Sequence, residues 1–215
     1  MSELEKAQAA EAAAALLQDG MRVGLGTGST VAHLLPAIAA RGLAGLRCVA
    51  TSPATEGAAR ALGLEVLALD EVGELDIAID GADQIDPRGW LIKGGGAAHT
   101  REKIVAAAAR TFVVIASSEK VVDALSPPVP VEVLRFGAQS TLRSLSPSKL
   151  RDVPPSPDGG LIADYLAPFD DPAALASRLS STPGVVDHGL FAPELVSMIL
   201  IARDGDVESR AGGKP

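Results

Sequence analysis

Short apolar runs alternate with helix-favouring stretches over the first 116 residues. In such an order each apolar run predicts a buried strand and each intervening stretch a crossover helix, and together they give a mainly parallel sheet covered by helices. We therefore predict an α/β fold with a Rossmann-like domain. The predicted strands are 21–25, 46–50, 64–67, 76–79, 90–92 and 111–116, and the predicted helices are 3–18, 54–62, 97–110 and one that begins at Ser29.

A proline-rich segment, Ser126-Pro127-Pro128-Val129-Pro130, interrupts this pattern. Three prolines so close together cannot continue a helix or a central strand, so we predict a domain boundary there. Beyond it, short strands and helices predict a second, smaller α+β domain of the ferredoxin-like type. The predicted division is 1–127 and 203–215 for the Rossmann-like domain and 128–202 for the small domain, with a buried strand at 195–202 that can return to the first domain and a frayed tail at 211–215.

The charge balance and the single cysteine narrow the classes of function. Lys and Arg number 19 against 27 Asp and Glu, a formal net charge of −8, so we expect no broad basic face for nucleic acid or an anionic membrane. Cys48 alone can form neither an internal disulfide nor a cysteine-based metal site, which fits a reducing compartment. The start of the chain lacks the pattern of a signal peptide, and no apolar run approaches the roughly 20 residues of a membrane span. We expect a cytoplasmic protein.

Glycines and hydroxyl residues follow the first predicted strand, in Gly24-Leu25-Gly26-Thr27-Gly28-Ser29-Thr30. Where a strand turns into a helix, backbone N–H groups point outward at the positive end of the helix dipole, and phosphate is a natural ligand there. The alternative is an ordinary turn with Ser29 or Thr30 as a helix cap. A dinucleotide site is less favoured, because Ser29 stands at the third glycine position and no acidic residue closes the next strand.

Two carboxylates follow another predicted strand, in Asp80-Gly81-Ala82-Asp83. Both can reach one ligand from this position, and their proximity can raise the proton affinity of one of them. The alternative is a turn in which Asp side chains hold backbone N–H groups. No histidine pair or calcium-loop spacing accompanies these residues, so we predict no metal site.

A third segment, Lys93-Gly94-Gly95-Gly96, places an ammonium group beside a backbone that a ligand can approach closely. Glu102 follows near the start of the next predicted helix and can face the same crevice, where a carboxylate is a competent base for a carbon acid. Taken singly, Glu102 reads as a solvated helix residue. The combined pattern predicts proton transfer on a phosphorylated small molecule.

Two further lysines, Lys120 and Lys6, are candidate substrate-binding residues. Lys120 follows the strand at 111–116 and can overhang the crevice, although a surface lysine is the simpler interpretation. Lys6 is expected to be solvated unless the first helix packs over the glycine loop at 24–30. We assign no step of the mechanism to a histidine, since a lone histidine more often serves packing or a local hydrogen bond.

Taken in order, these segments resemble the ribose-5-phosphate isomerase A family. The resemblance covers most of residues 3–135 and resumes more weakly at 158–159, 183–186 and 189–191. Besides the three segments above, it rests on Thr51-Ser52-Pro53-Ala54-Thr55-Glu56, Thr100-Arg101-Glu102-Lys103, Ser118-Glu119-Lys120 and Pro130-Val131-Glu132-Val133.

The resemblance implies reversible interconversion of D-ribose 5-phosphate and D-ribulose 5-phosphate through an enediolate, in the non-oxidative pentose phosphate pathway, without a metal or organic cofactor. It implies Glu102 as the proton acceptor and a homo-oligomer, dimer or tetramer, with contacts from the small domain. Our hypothesis is that Lys93 stabilises oxyanion charge while Asp80 and Asp83 assist ring opening and hydroxyl proton transfer. The implied substrate-binding residues are Lys6, Thr27, Gly28, Ser29, Thr30, Asp80, Gly81, Ala82, Asp83, Lys93, Gly94, Gly95, Gly96 and Lys120.

The chain departs from the family pattern at 150–160 and at His99, which stands where the family commonly has an apolar residue. These departures concern small-domain packing and oligomer geometry more than chemistry. Three alternatives stay open: another sugar-phosphate isomerase or an amino-sugar-phosphate deaminase of the same fold, a phosphosugar-sensing effector-binding module, and a CoA-transferase-like enzyme. The absence of a basic helix-turn-helix region from the sequence disfavours the sensor.

Overall fold

The computed structural model describes residues 3–214, so Met1, Ser2 and Pro215, which the predicted division assigns to the Rossmann-like domain, lie outside the described residues. Strands and helices alternate over the first half of the chain, as the sequence predicts. The elements there are α1 (Glu3–Ala14), β1 (Arg22–Leu25), α2 (Ser29–Ala40), β2 (Arg47–Ala50), α3 (Pro53–Ala61), α4 (Leu69–Val72), β3 (Leu75–Gly81), β4 (Gln84–Ile85), β5 (Leu91–Ile92), α5 (His99–Ala108) and β6 (Ala109–Ser117).

The strand predicted at 64–67 does not form. This apolar run makes one isolated parallel bridge, between Val66 and Cys48 of β2. The N–H of Leu67 donates to the carbonyl of Cys48 at 2.9 Å, and the N–H of Cys48 donates to the carbonyl of Glu65 at 2.9 Å. The prediction was wrong because α4 begins at Leu69, so the run covers the edge of the sheet but pairs only around Val66.

The second unit contains four antiparallel strands and two helices. Its order, strand-helix-strand-strand-helix-strand, is that of a ferredoxin-like fold and confirms the predicted α+β class. The elements are β7 (Val129–Val133), α6 (Ala138–Ser144), β8 (Ser148–Leu150), β9 (Leu161–Tyr165), α7 (Pro172–Ser180) and β10 (Val185–His188). The strands lie in the order β10-β7-β9-β8.

Pro130 lies inside β7, a central strand of this sheet, which the sequence analysis excluded for prolines. The rule fails here because β10 does not pair with Pro130. The pairing between β10 and β7 stops at Val131, which lies opposite His188, the last residue of β10. The missing N–H of Pro130 therefore falls beyond the end of β10. The carbonyl of Pro130 still accepts a hydrogen bond from the N–H of Gly189 at 2.7 Å.

The last three strands are β11 (Leu190–Phe191), β12 (Met198–Arg203) and β13 (Asp206–Ala211). β12 runs parallel to β6, and β13 pairs antiparallel with β12, so both strands belong to the large sheet. This pairing corrects the predicted boundary at 202, because the chain returns to the first sheet at Met198. The prediction of a frayed tail is wrong for the described residues, since the N–H of Lys214 donates to the carbonyl of Val196 at 2.8 Å.

The large sheet has the order β13-β12-β6-β3-β1-β2, with helices packed on both faces. From β1 the chain runs outward to β2 on one side, while β3 and the later strands lie on the other. A crevice beyond the carboxyl ends of the strands at such a reversal is the usual ligand site of open α/β sheets. None of the helices within residues 3–214 has the length and hydropathy needed to cross a membrane.

Candidate active site

A cleft of about 250 Å³ opens at the carboxyl ends of β1 and β3. All three glycine-containing segments contribute to it, together with one residue of α5 and one that follows β6. The structure therefore brings together residues that the sequence analysis proposed from separate strand ends. The lining residues are Thr27, Gly28, Ser29, Thr30, Gly81, Ala82, Asp83, Lys93, Gly94, Gly95, Gly96, Glu102 and Lys120.

Three buried charged groups form a cluster at this cleft, which we call the charged cluster: Asp80, Lys93 and Glu102. The Nζ of Lys93 lies 2.9 Å from Oδ2 of Asp80 and 3.0 Å from Oε2 of Glu102, and it also donates to the carbonyl of Gly81. Each of the three side chains is between 2 and 4% exposed. One ammonium thus faces two carboxyl groups where water does not screen them.

This arrangement changes the acidity of all three groups. Burial, together with the neighbouring Asp80, raises the pKa of Glu102 to about 8, although Lys93 partly offsets the shift. Burial also raises the pKa of Asp80, against the opposing effect of Lys93. Burial disfavours the ammonium of Lys93, but the two carboxylates outweigh it and raise the pKa of Lys93. Near neutral pH the cluster therefore keeps Lys93 charged and holds a proton on the carboxyl pair.

Asp80 is fixed by the glycine loop that follows β1. Its Oδ1 accepts hydrogen bonds from the N–H of Thr27 at 3.0 Å and from the N–H of Gly81 at 2.7 Å. A Cβ atom built on Gly26 would lie 1.9 Å from this oxygen, so only glycine allows the approach. Gly26 is a site residue that the sequence analysis quoted within the loop but did not select, and its signal was its place between two other glycines.

Asp83 holds the second glycine loop. Its Oδ2 accepts a hydrogen bond from the N–H of Gly95 at 2.8 Å, and a Cβ built on Gly95 would lie 2.9 Å from its Oδ1. Gly94 has φ +106°, a conformation that L side chains rarely adopt. Within residues 3–214, no group of three or more His, Cys, Asp or Glu side chains is placed to hold a metal ion.

The loop Gly26–Thr30, which we call the cradle, leads into α2 without a side-chain cap. Gly28 occupies the cap position with φ +122°, and no side-chain hydrogen bond caps the helix. The ordinary turn capped by Ser29 or Thr30 is therefore not what forms. The first N–H groups of a helix have no partner within the helix, so this end can bind an anion.

The two lysines outside the glycine segments behave differently. Lys120 lines the cleft, and its Nζ lies 3.7 Å from Oε1 of Glu119. Lys6 is not among the lining residues, and its Nζ lies 2.6 Å from Oε1 of Glu3. Lys6 is also buried, which corrects the expectation of a solvated side chain and follows from the packing of α1 against α2. A role for Lys6 in substrate binding stays a prediction.

Three residues that the sequence analysis did not select contact residues that line the cleft: Thr51, His99 and Arg151. The hydroxyl of Thr27 lies 2.8 Å from the hydroxyl of Thr51, and the Nη1 of Arg151 donates to the carbonyl of Gly94 at 2.8 Å. His99 is fully buried against Gly94, and burial lowers its pKa to about 4. Arg151 comes from the segment that departs from the family pattern, so no motif could identify it.

Comparisons with known proteins agree with each other. The model of the family described as ribose 5-phosphate isomerase A (phosphoriboisomerase A) matches residues 47–206. A ribose-5-phosphate isomerase A from Caulobacter vibrioides is 47% identical over 218 residues, covering 94% of this chain and 96% of the relative.

Solved structures give the same result. Ribose 5-phosphate isomerase A from Methanocaldococcus jannaschii superimposes with a TM-score of 0.92 at 33% identity, covering 98% of this chain and 100% of that one. A D-ribose-5-phosphate isomerase in complex with phospho-erythronic acid superimposes with a TM-score of 0.90 at 33% identity, covering 97% and 98%.

Proposed function

The chain belongs to the ribose 5-phosphate isomerase A family, and we propose that Glu102 is the base that moves the proton in its aldose-ketose isomerisation. The protein is an isomerase that interconverts D-ribose 5-phosphate and D-ribulose 5-phosphate, a reaction of the pentose phosphate pathway. Support for the base comes from one observation: Glu102 lines the cleft, is buried and lies 3.0 Å from the Lys93 ammonium. With a pKa raised to about 8, Glu102 exchanges a proton close to neutral pH, and the fraction of molecules in which its carboxylate is ionised can act as the base.

The reaction needs a proton to leave C2 of the open-chain aldose and another to arrive at C1. In our proposal Glu102 accepts the C2 proton while the electrons of that bond form the C1–C2 double bond and charge develops on O1. Asp80 and Asp83 assist ring opening and pass the hydroxyl proton between O2 and O1. Glu102 then returns its proton to C1, which completes the ketose.

Lys93 couples substrate binding to the strength of this base. An ammonium has three N–H donors, and those of Lys93 face Asp80, Glu102 and the carbonyl of Gly81. To stabilise the oxyanion on O1, Lys93 has to give up one of these partners. If it releases Glu102, the carboxylate loses the interaction that lowers its pKa and becomes a stronger base as the substrate binds.

We place the phosphate of the substrate at the cradle. The amino end of α2 offers N–H groups and a positive dipole end, and Lys120 adds a charge at the rim of the cleft. Holding the phosphate there leaves the carbon chain free to extend toward the charged cluster. The relative solved with phospho-erythronic acid supports a phosphorylated small molecule as the ligand of this cleft.

We further propose a homo-oligomer, dimer or tetramer, with contacts from the small domain, and a cytoplasmic location without nucleic-acid partners. The resemblance to the family supports the oligomer, and Phe136 on the small domain, which is 93% exposed in the single chain, is a residue that such a contact can cover. Light scattering during size-exclusion chromatography measures the subunit number, and a monomer at all concentrations would contradict this part.

The activity is tested by following ribulose 5-phosphate formation from ribose 5-phosphate with a chelator present. We expect wild-type turnover and, in Glu102→Gln, a loss of about 10²–10⁴-fold in kcat with folding unchanged by circular dichroism. The matched control is Glu11→Gln, which removes an exposed carboxylate of α1 and is expected to retain wild-type turnover. Near-native turnover of Glu102→Gln would reject the base, whereas an inactive wild type that binds the sugar phosphate would favour a sensor.

A further inference from the structure

A buried aromatic ring lies against Lys93 of the charged cluster. Phe191 has no exposed surface, and its ring centroid lies 5.3 Å from the Nζ of Lys93. At this distance the negative face of the ring attracts the ammonium, and the attraction is larger where both groups are out of water. Phe191 does not line the cleft, and the proposed mechanism assigns it no role.

The segment that carries Phe191 also fixes the backbone of Lys93. The N–H of Lys93 donates to the carbonyl of Gly189 at 2.8 Å. A Cβ built on Gly189 would lie 2.1 Å from the carbonyl oxygen of Lys93, so only glycine allows this approach. Beyond it, β11 pairs with β5, with Phe191 opposite Leu91. Both the backbone and the ammonium of Lys93 therefore contact the chain that leaves the small domain.

The ring of Phe191 also contacts a second lysine, Lys103, and this contact connects Phe191 to α5, the helix that carries Glu102. Lys103 follows Glu102 on α5, and its Nζ lies 5.0 Å from the centroid of Phe191. This ammonium lies 2.6 Å from Oδ1 of Asp187 and also donates to the carbonyl of His188. Lys103 is thus held by oxygen atoms of the segment Asp187–Phe191, and this segment bridges the elements that carry Lys93 and Glu102.

We propose that Phe191 is a positioning residue for Lys93, holding its ammonium over the ring while the ammonium exchanges Glu102 for the oxygen of the substrate. This inference rests on the proposed isomerase function. One of the oxygen atoms that the N–H donors of Lys93 face is exchanged in our proposal, from Glu102 to the substrate, whereas the ring offers an attraction that does not depend on which oxygen is bound. Loss of the ring would let the ammonium shift, which weakens its interaction with charge in the transition state more than with the bound substrate.

The first test compares two buried phenylalanines of the same core cluster. Phe112 lies 6.5 Å from Phe191 between ring centroids, and both residues are almost completely buried. In Phe191→Leu we expect kcat to fall about tenfold, as for loss of a desolvated cation-π contact, with KM within about twofold of wild type. In Phe112→Leu, which loses similar packing and the same ring pair, we expect kcat to stay within about twofold.

A pH profile separates positioning from a general loss of packing. Glu102 faces Asp80, Asp83 and Lys93, and of these Lys93 lowers its pKa. An ammonium displaced from Glu102 lowers the pKa of Glu102 less. The acidic limb of the kcat/KM profile should therefore move to higher pH in Phe191→Leu and stay in place in Phe112→Leu. Equal losses of kcat and unchanged limbs in both variants, with wild-type turnover normal, would overturn the role of Phe191 alone.

Fluorinated phenylalanines at position 191 test the ring itself with almost no change in shape. Each added fluorine withdraws electron density from the ring face, so kcat should fall stepwise from one to three fluorines if the attraction positions Lys93. A flat series would overturn the inference even if Phe191→Leu fails to fold. Absence of ribose 5-phosphate isomerisation by the wild type would instead overturn the proposed function and, with it, the role of Phe191.

Discussion

The cradle and the charged cluster lie in one cleft but are built in opposite ways. The cradle, Gly26–Thr30, has no charged side chain and leaves Gly28 and Ser29 exposed. The charged cluster places three ionisable groups where almost no water reaches them. A helix end binds an anion without needing a proton, whereas acid-base chemistry needs carboxyl groups whose pKa is raised toward neutrality. We therefore expect changes in the cluster to alter kcat and stability, and changes at cradle positions that do not contact the cluster to alter KM.

The largest effect on stability is expected from Lys93→Met, which removes the ammonium but keeps the length of the side chain. Two buried carboxyl groups then face each other without a cation, so we expect unfolding free energy to fall by about 3–5 kcal/mol. Without the ammonium we expect kcat to fall by about 10²–10³-fold. Urea unfolding and initial rates measure the two effects, and Lys149→Met, at an exposed position of β8, is the matched control.

A double variant tests whether the uncompensated charge causes the loss of stability. Asp80→Asn combined with Lys93→Met removes one of the two carboxylates, so part of the lost stability should return while activity stays low. If the double variant is less stable than Lys93→Met, charge repulsion is not the cause. Wild-type kcat in either variant would remove Lys93 from the mechanism.

A smaller effect is expected where the two regions meet, at Gly26. In Gly26→Ala the new methyl group would lie 1.9 Å from Oδ1 of Asp80, so the carboxylate or the loop has to move. A misplacement of about 1 Å can reduce kcat by about 10²-fold. The control is Gly57→Ala in α3, where a Cβ meets nothing within 4 Å and should stabilise the protein by about 0.5–1 kcal/mol. An unchanged kcat in Gly26→Ala would show that Asp80 needs no exact placement.

The sequence was sufficient to predict which strand ends meet but not how their side chains pair. Loops after neighbouring parallel strands converge at one edge, so the segments at 24–30 and 80–83 could be placed together from their order alone. The sharing of one ammonium by Asp80 and Glu102 depends on the direction in which α5 leaves its loop, which no local pattern specifies. Phe191 could not be predicted either, because it reaches Lys93 from a segment almost a hundred residues later.

The pH dependence of stability distinguishes the buried carboxyl pair from the cradle, which has no ionisable group. The pKa of Glu102 is raised to about 8 in the folded protein, so the folded state binds this proton more tightly than the unfolded state. Stability from this group is therefore present at low pH and is lost as pH rises toward 8. Between about pH 6 and about pH 8 we expect wild type to lose about 2 kcal/mol relative to Glu102→Gln, measured by urea unfolding. Parallel curves would contradict the raised pKa.

The smallest effect is expected at the rim of the cleft, from Lys120→Gln. This lysine is partly exposed, so solvent screens its attraction for phosphate, and we expect KM to rise about fivefold, equivalent to roughly 1 kcal/mol, with kcat unchanged. Added salt should reduce the difference between variant and wild type, because it screens a charge at the surface more than one in the cluster. The control is Lys149→Gln, which changes an exposed lysine that does not line the cleft and should keep wild-type KM. A loss of kcat as large as that of Lys93→Met would mean that Lys120 acts on the reacting atoms, and the division between a binding region and a chemical region would then fail.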